Sequence, residues 1–164
     1  MDIFDKEIEL FWKALEEEKV KYLMVGGYAT NLHGYQRYTG DMDIWIEESI
    51  ENRKALRRAF KSYGMGDFDM IERMQFVPGW TYFYLNNGMK LDIMVNMKGL
   101  EGYSFDECLK MALTANIDSI NVPVIHINHL ITNKKAVGRP KDQLDVIYLE
   151  KIQKLRDDEE SNKA

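Results

Sequence analysis

The chain has 164 residues, about one domain at roughly 150 residues per domain and long enough to bury roughly two-thirds of its unfolded surface. Against 22 Lys and Arg stand 27 Asp and Glu, a formal net charge of −5, which argues against nonspecific nucleic-acid binding. Cys108 is the single cysteine, so no intrachain disulfide forms and a Cys-based zinc site is unsupported.

The start, Met1 to Glu7, is acidic and amphipathic rather than a signal peptide, and no apolar run nears the ~20 residues that span a bilayer, so the expectation is a soluble cytoplasmic protein with no membrane partner. Phe4, Ile8, Phe11, Trp12 and Leu15 recur in steps of three and four and predict a first helix. Tyr22 to Val25 reads as a buried strand that turns at Gly26-Gly27 into a short helix around Tyr28 to Leu32. After a polar loop, Met42 to Ile46 is a second strand. Ser49 suits an N-cap and Gly64 a C-terminal cap for a helix with the stripe Leu56, Ala59, Phe60 and Tyr63, followed by an irregular segment to Glu72. Thr81–Leu85 and Met89–Val95 flank Asn86-Asn87-Gly88, a strong hairpin signal. Ser104 to Glu107 matches a capping box and predicts a helix to about Ala115. Val122–Ile127 reads as a strand, Asn128 as the cap of a helix ending at Gly138, and Pro140 as the first turn of a last helix. That helix is expected to pack through Leu144, Ile147, Tyr148, Ile152 and Leu155. The whole is an α/β (α+β) fold, a small mixed sheet flanked by helices, with one domain over 1–155 and a polar tail over 156–164.

Chemistry concentrates in Gly26-Gly27 and in Arg37-Tyr38-Thr39-Gly40-Asp41-Met42-Asp43. Strand side chains alternate, so Asp41 and Asp43 share a face about 6.6–6.8 Å apart, opposite the apolar Met42, Ile44 and Ile46. In Lys90-Leu91-Asp92-Ile93 the same alternation turns Asp92 outward. If these strands are neighbours, three carboxylates converge and repel, a conflict that Mg²⁺ or Mn²⁺ with all-oxygen ligands relieves. Such ions serve phosphoryl transfer. Glycines at a strand-to-helix turn let backbone N–H groups approach a phosphate.

Gly-Gly, thirteen residues, Asp-x-Asp on a strand, then a lone Asp on another strand: this pattern resembles the polymerase-beta-like nucleotidyltransferase superfamily. Arg37-x-Thr39-x-Asp41-x-Asp43 is most similar to its small prokaryotic members, which include the antitoxins of toxin–antitoxin and abortive-infection systems and small aminoglycoside- or lincosamide-type transferases. Leu130 to Lys134 and Gly138-Arg139-Pro140-Lys141-Asp142 through Asp145 resemble that branch's closing motif. The resemblance implies the minimal nucleotidyltransferase fold. It implies that Gly26 and Gly27 hold nucleotide phosphates, that Asp41 and Asp43 bind metal, and that Asp92 completes the metal site and helps deprotonate the acceptor. Lys134 would approach the triphosphate, with Arg37 and Thr39 flanking. The implied partners are an NTP, a hydroxyl acceptor (small molecule, protein or tRNA) and, on the antitoxin reading, a partner protein.

Blander readings stand beside these. Arg37 is equally suited to neutralising Asp41 or Asp43, and Lys134 to a solvated helix face. Asp142 and Asp145 fit a structural ion-pair network between helices. His33, His126 and His129 read as structural, Met65, Met70, Met74, Met89, Met94 and Met97 as core, and Cys108 as a buried hydrophobe. Trp45 shares the carboxylate face, where packing beneath a helix is its expected fate. Glu47, Glu48, Asp67 and Asp69 are candidate acids for a cationic acceptor.

Overall fold

The computed structural model describes residues 5–163, in which six helices pack on a six-stranded mixed sheet. α1 (Lys6–Glu17) is capped by Asp5, whose carboxylate accepts from the Glu7 amide at 2.8 Å. Ile8, Phe11, Trp12 and Leu15 form its buried face, and Phe4 lies outside the described residues. β1 (Tyr22–Val25) is buried throughout and runs straight into α2 (Gly26–Leu32), which starts at the first glycine rather than at Tyr28. β2 (Asp41–Ile46) leads to α3 (Ile50–Tyr63), capped by the Ser49 hydroxyl and ended by Gly64 at φ +100°. A 3-10 turn, Asp69–Glu72, interrupts the irregular segment. β3 (Tyr82–Tyr84) and β4 (Lys90–Met94) pair antiparallel across the Asn-Gly turn.

Beyond this hairpin the structure departs from the periodicity in three places. α4 (Phe105–Met111), capped by Ser104, stops well before Ala115. The chain instead continues as β5 (Leu113–Ile117), paired antiparallel with β6 (Ile120–Val124). The turn between them, Asp118-Ser119, has φ of +49° and +70°, a tight hairpin conformation built without the glycine that announces one. α5 (Ile127–Val137) is capped not by Asn128 but by His126, whose Nδ1 accepts from the Asn128 amide at 3.0 Å. α6 (Pro140–Lys163) begins at Pro140, but its buried face is Asp142, Asp145, Val146 and Leu149. Most of the expected stripe points outward: Leu144, Ile147, Tyr148 and Leu155 are 40–64% exposed, while Ile152 packs against the core. Two acids displace that stripe because buried cations from other elements pair with them. α6 remains helical through the stretch read as a tail.

The strand order is β3-β4-β2-β1-β6-β5. β2 is parallel to β4 and antiparallel to β1, and β1 is parallel to β6. Met42, Ile44, Leu91 and Ile93 bury one sheet face completely, the side on which Phe11 of α1 meets Phe60 of α3 at 6.0 Å. The other face carries the acids and Trp45, which packs edge-on against Phe105 of α4 at 5.2 Å, the expected fate beneath a helix. The histidines serve structure: His33 Nε2 lies 2.7 Å from the Ile125 carbonyl, His126 caps α5 and His129 packs against Tyr103. Cys108, Met89 and Met97 are buried, whereas Met70 is half exposed rather than core. Among the described residues no helix is long and apolar enough to cross a membrane.

Candidate active site

β2 and β4 are neighbours, with Asp43 opposite Asp92 and Asp41 opposite Lys90. Side chains opposite one another in a ladder share a face, so all four project from the polar side. Asp41 is exposed, Asp43 half-buried and Asp92 only 8% exposed. They line a cleft of about 550 Å³, within the range of small-ligand sites. Gly26, Lys90, Lys98, Lys134, Arg139 and Asp142 line it too.

The glycines are required by this geometry. Gly26 has φ +65°, and a Cβ there would run into the Asp43 carboxylate. A Cβ on Gly27 would strike the Thr39 hydroxyl and crowd Arg37. The strand end, the start of α2 and the acidic strand therefore meet backbone against side chain. Thr39 is buried and donates to the Asp41 carbonyl at 3.2 Å, fixing the entry of β2.

Arg37 does not pair with Asp41 or Asp43. Its guanidinium grips Asp145 of α6 with two 2.7 Å hydrogen bonds. Lys134, 4% exposed rather than solvated, donates to the same carboxylate at 2.8 Å and lies 3.6 Å from Asp142. Asp142 in turn receives Arg139 at 2.7 Å. Burial alone would push Asp142 and Asp145 up; Arg139 and Lys134 on the first, and Arg37 and Lys134 on the second, outweigh it and hold both below the usual carboxylate range. The network expected between two helices is thus real, and it reaches back to the loop before β2. It holds the Lys134 ammonium at the cleft wall.

The central acids behave oppositely. Burial, then Asp92, then Asp41 raise Asp43 to about 6, with Lys141 and Lys134 opposing. Burial also pushes Asp92 up, against the nearby Lys90. Asp92 Oδ1 is buried without a hydrogen-bond partner. Among the described residues no three His, Cys, Asp or Glu side chains enclose a metal by themselves. An orphaned carboxylate oxygen beside a second carboxylate whose proton affinity burial raises nonetheless fits a hard cation whose shell is completed by ligand oxygens and water.

Reasoning from sequence passed over Lys90 and Lys98 as cleft residues. Lys90 was within reach, since it stands two residues before Asp92 and so on the same face. Lys98 was not, because its place depends on Gly99 letting the loop lie against α5, where the Lys98 carbonyl accepts from Asn133 at 2.9 Å. Glu47, Glu48, Asp67 and Asp69 do not serve the cleft: each pairs with a base, Lys21, Arg53, Arg57 and Arg73 respectively.

Among solved structures the fold is similar to a lincosamide antibiotic adenylyltransferase, LnuA, bound to lincomycin (18% identity, TM-score 0.60, covering 93% of this chain and 99% of that one). It is also similar to ANT(2″)-Ia in complex with adenylyl-2″-tobramycin (19%, 0.54, 96% and 97%). A candidate nucleotidyltransferase from Thermotoga maritima matches at 20% identity, TM-score 0.54, over 92% and 88%. No curated protein matches the sequence significantly. The sequence model of one family takes in residues 5–162, nearly everything from the cap of α1 to the end of α6, and by that match the chain belongs to the nucleotidyl transferases of unknown function (DUF2204).

Proposed function

We propose that this enzyme moves a nucleoside monophosphate from an NTP to a hydroxyl of a small-molecule acceptor. The observation that carries the reading is the pairing of Asp43 with Asp92 on parallel strands, with one Asp92 oxygen left unsatisfied in the cleft. Asp41, Asp43 and Asp92 would hold the divalent cation, Mg²⁺ or Mn²⁺. When bound, it supplies charge neutralisation for the triphosphate and for the developing charge at the α-phosphorus.

The remaining roles fall to the chain itself. Gly26 and Gly27 let the backbone at the start of α2 come close to phosphate oxygens without a side chain intervening. Lys134, held by Asp145, presents a positive charge at the cleft wall. The acceptor oxygen attacks the α-phosphorus and the bond to pyrophosphate breaks. Asp92 helps deprotonate the acceptor hydroxyl, a role suited to a carboxyl whose burial raises its proton affinity. A small-molecule acceptor is supported by two similar folds, ANT(2″)-Ia in complex with adenylyl-2″-tobramycin and the lincosamide antibiotic adenylyltransferase LnuA bound to lincomycin.

The test uses each NTP labelled at the α-phosphorus, with Mg²⁺ and a panel of hydroxyl-bearing acceptors, followed by mass spectrometry. A product heavier by one nucleoside monophosphate, with equimolar pyrophosphate, is expected. Asp92→Asn should abolish transfer with the fold unchanged; transfer at the wild-type rate by that variant would refute the assignment.

A further inference from the structure

One row of residues crosses the sheet through the cleft. The strand register sets Val25 beside Asp43, Asp43 beside Asp92, and Asp92 beside Tyr82 of β3. The next row runs from Asp41 through Lys90 to Tyr84. Residues opposite one another share a face, so both tyrosines stand on the acidic side of the sheet. Phe83 between them takes the core side, where its ring meets Phe60 at 5.1 Å and Phe68 at 5.8 Å. β3 is an edge strand, and Tyr82 and Tyr84 are 43% and 58% exposed. Their rings lie 5.5 Å apart at 82°, which makes an open corner of one face and one edge. The Lys90 ammonium stands 4.5 Å from the centre of the Tyr82 ring.

The two ends of the first row differ. Gly26 follows Val25 and opens α2, the end proposed for the triphosphate. Tyr82 lies at the other end, about 14 Å away across three strand spacings of about 4.8 Å. Phosphoryl transfer sets the attacking and leaving oxygens in line on opposite sides of the phosphorus. With pyrophosphate leaving toward Gly26, the acceptor comes from the Tyr82 end, over Asp92. Charge narrows what it is. The acids that line the cleft are Asp41, Asp43, Asp92 and Asp142. The first three serve the cation and Asp142 holds Arg139, so none is left for a cationic acceptor. Lys90 and Lys98 instead add positive charge.

We infer that Tyr82 and Tyr84 form the acceptor platform, and that the acceptor is a neutral or acidic hydroxyl compound whose flat ring stacks in their corner beside Lys90. The direction of attack rests on the transfer reading; the ring site and its charge preference rest on the tyrosines and Lys90 themselves.

The test is ligand-observed saturation-transfer NMR on the full chain in saturating Mg²⁺. The probes are phenyl β-D-glucopyranoside, phenyl β-D-glucuronide, the cationic 4-(aminomethyl)phenyl β-D-glucopyranoside, and methyl β-D-glucopyranoside, which lacks the flat ring. The neutral and acidic phenyl compounds should bind, the glucuronide more tightly, and the other two at least ~5-fold more weakly. Tyr82→Ala with Tyr84→Ala should weaken phenyl binding roughly 10-fold, and Tyr82→Phe with Tyr84→Phe should retain it, with far-UV circular dichroism unchanged in both. Lys90→Gln should erase the preference for the glucuronide. The alanine pair should keep wild-type NTP affinity, read by thermal shift. Phenyl compounds that bind no better than the methyl glucoside, tightest binding by the cationic probe, or phenyl binding that survives the alanine pair would overturn the inference. So would a loss of NTP affinity in that pair, which would make the tyrosines a platform for the nucleotide base. A wild type that binds the phenyl compounds through the tyrosines but binds no Mg²⁺–NTP would refute the transfer reading and leave the ring site standing.

Discussion

Removal of the Asp145 carboxylate should destabilise this protein more than any surface ion pair could. Asp145 is 1% exposed and serves two cations, Arg37 through two 2.7 Å bonds and Lys134 at 2.8 Å. In Asp145→Ala, Lys134 keeps only Asp142 at 3.6 Å, and Arg37 retains its 2.9 Å bond to the Tyr38 carbonyl. Breaking a buried pair by removing one partner costs about 3–5 kcal/mol, against about 0–1 for an exposed pair. At roughly 2–4 °C per kcal/mol, Tm should fall by about 6–20 °C at pH 7. The cost is confined to the pH range in which the carboxylate is ionised. Its folded-state pKa is depressed, so its contribution is present above the unfolded value near 4 and is lost as pH falls below it. Differential scanning calorimetry of wild type and variant at pH 7 and near pH 3 measures both. A loss below about 1 kcal/mol at pH 7, or an equal loss at the two pH values, would refute the reasoning.

Gly27→Ala should lower Tm by a few degrees and weaken nucleotide binding more than it weakens the fold, because the new methyl meets the Thr39 hydroxyl at the phosphate side of α2; overpacking of this kind costs about 1–3 kcal/mol, and calorimetry with and without NTP separates the two effects. Asp43→Asn should stabilise the ligand-free protein at pH 8. A pKa raised to about 6 contributes stability below pH 4 that is lost as pH rises through 6, and the neutral amide avoids that loss, worth ~3 kcal/mol. By the same titration, divalent-cation affinity of the wild type should fall as pH drops through about 6, as Mn²⁺ titration monitored by water-proton relaxation would show. Asp145→Ala should also raise the KM for NTP, since Lys134 loses its closest anchor, whereas a Lys135→Ala control on the exposed side of α5 should not.

What could be read without coordinates was local. Ser49 and Gly64 bound α3 because a hydroxyl three residues before an amide and a residue able to take positive φ act within one turn. The pairing of Asp41 with Asp43, and the outward turn of Asp92, follow from strand alternation alone. What could not be read depended on distant partners. Asp145 meets Arg37 from 108 positions away, and that contact decides which side of α6 is buried. Two stripes on that helix have helical spacing, one apolar and one headed by Asp142 and Asp145, and the acidic one turns inward because Lys134, Arg37 and Arg139 pair with it. The β5–β6 hairpin was hidden for another reason: Asp118-Ser119 adopts two positive φ angles without glycine, so its sequence reads as a helix end followed by a loop.

The central claim is that Asp41, Asp43 and Asp92 form a metal-dependent nucleotide site. Thermal unfolding with each of the four NTPs, with and without Mg²⁺, on wild type and Asp43→Asn tests it most directly. A nucleotide at about 100 times its Kd adds about 2.7 kcal/mol, a rise in Tm of roughly 5–11 °C. The account predicts that rise only when Mg²⁺ and Asp43 are both present; an equal rise in Asp43→Asn, or one indifferent to Mg²⁺, would contradict it.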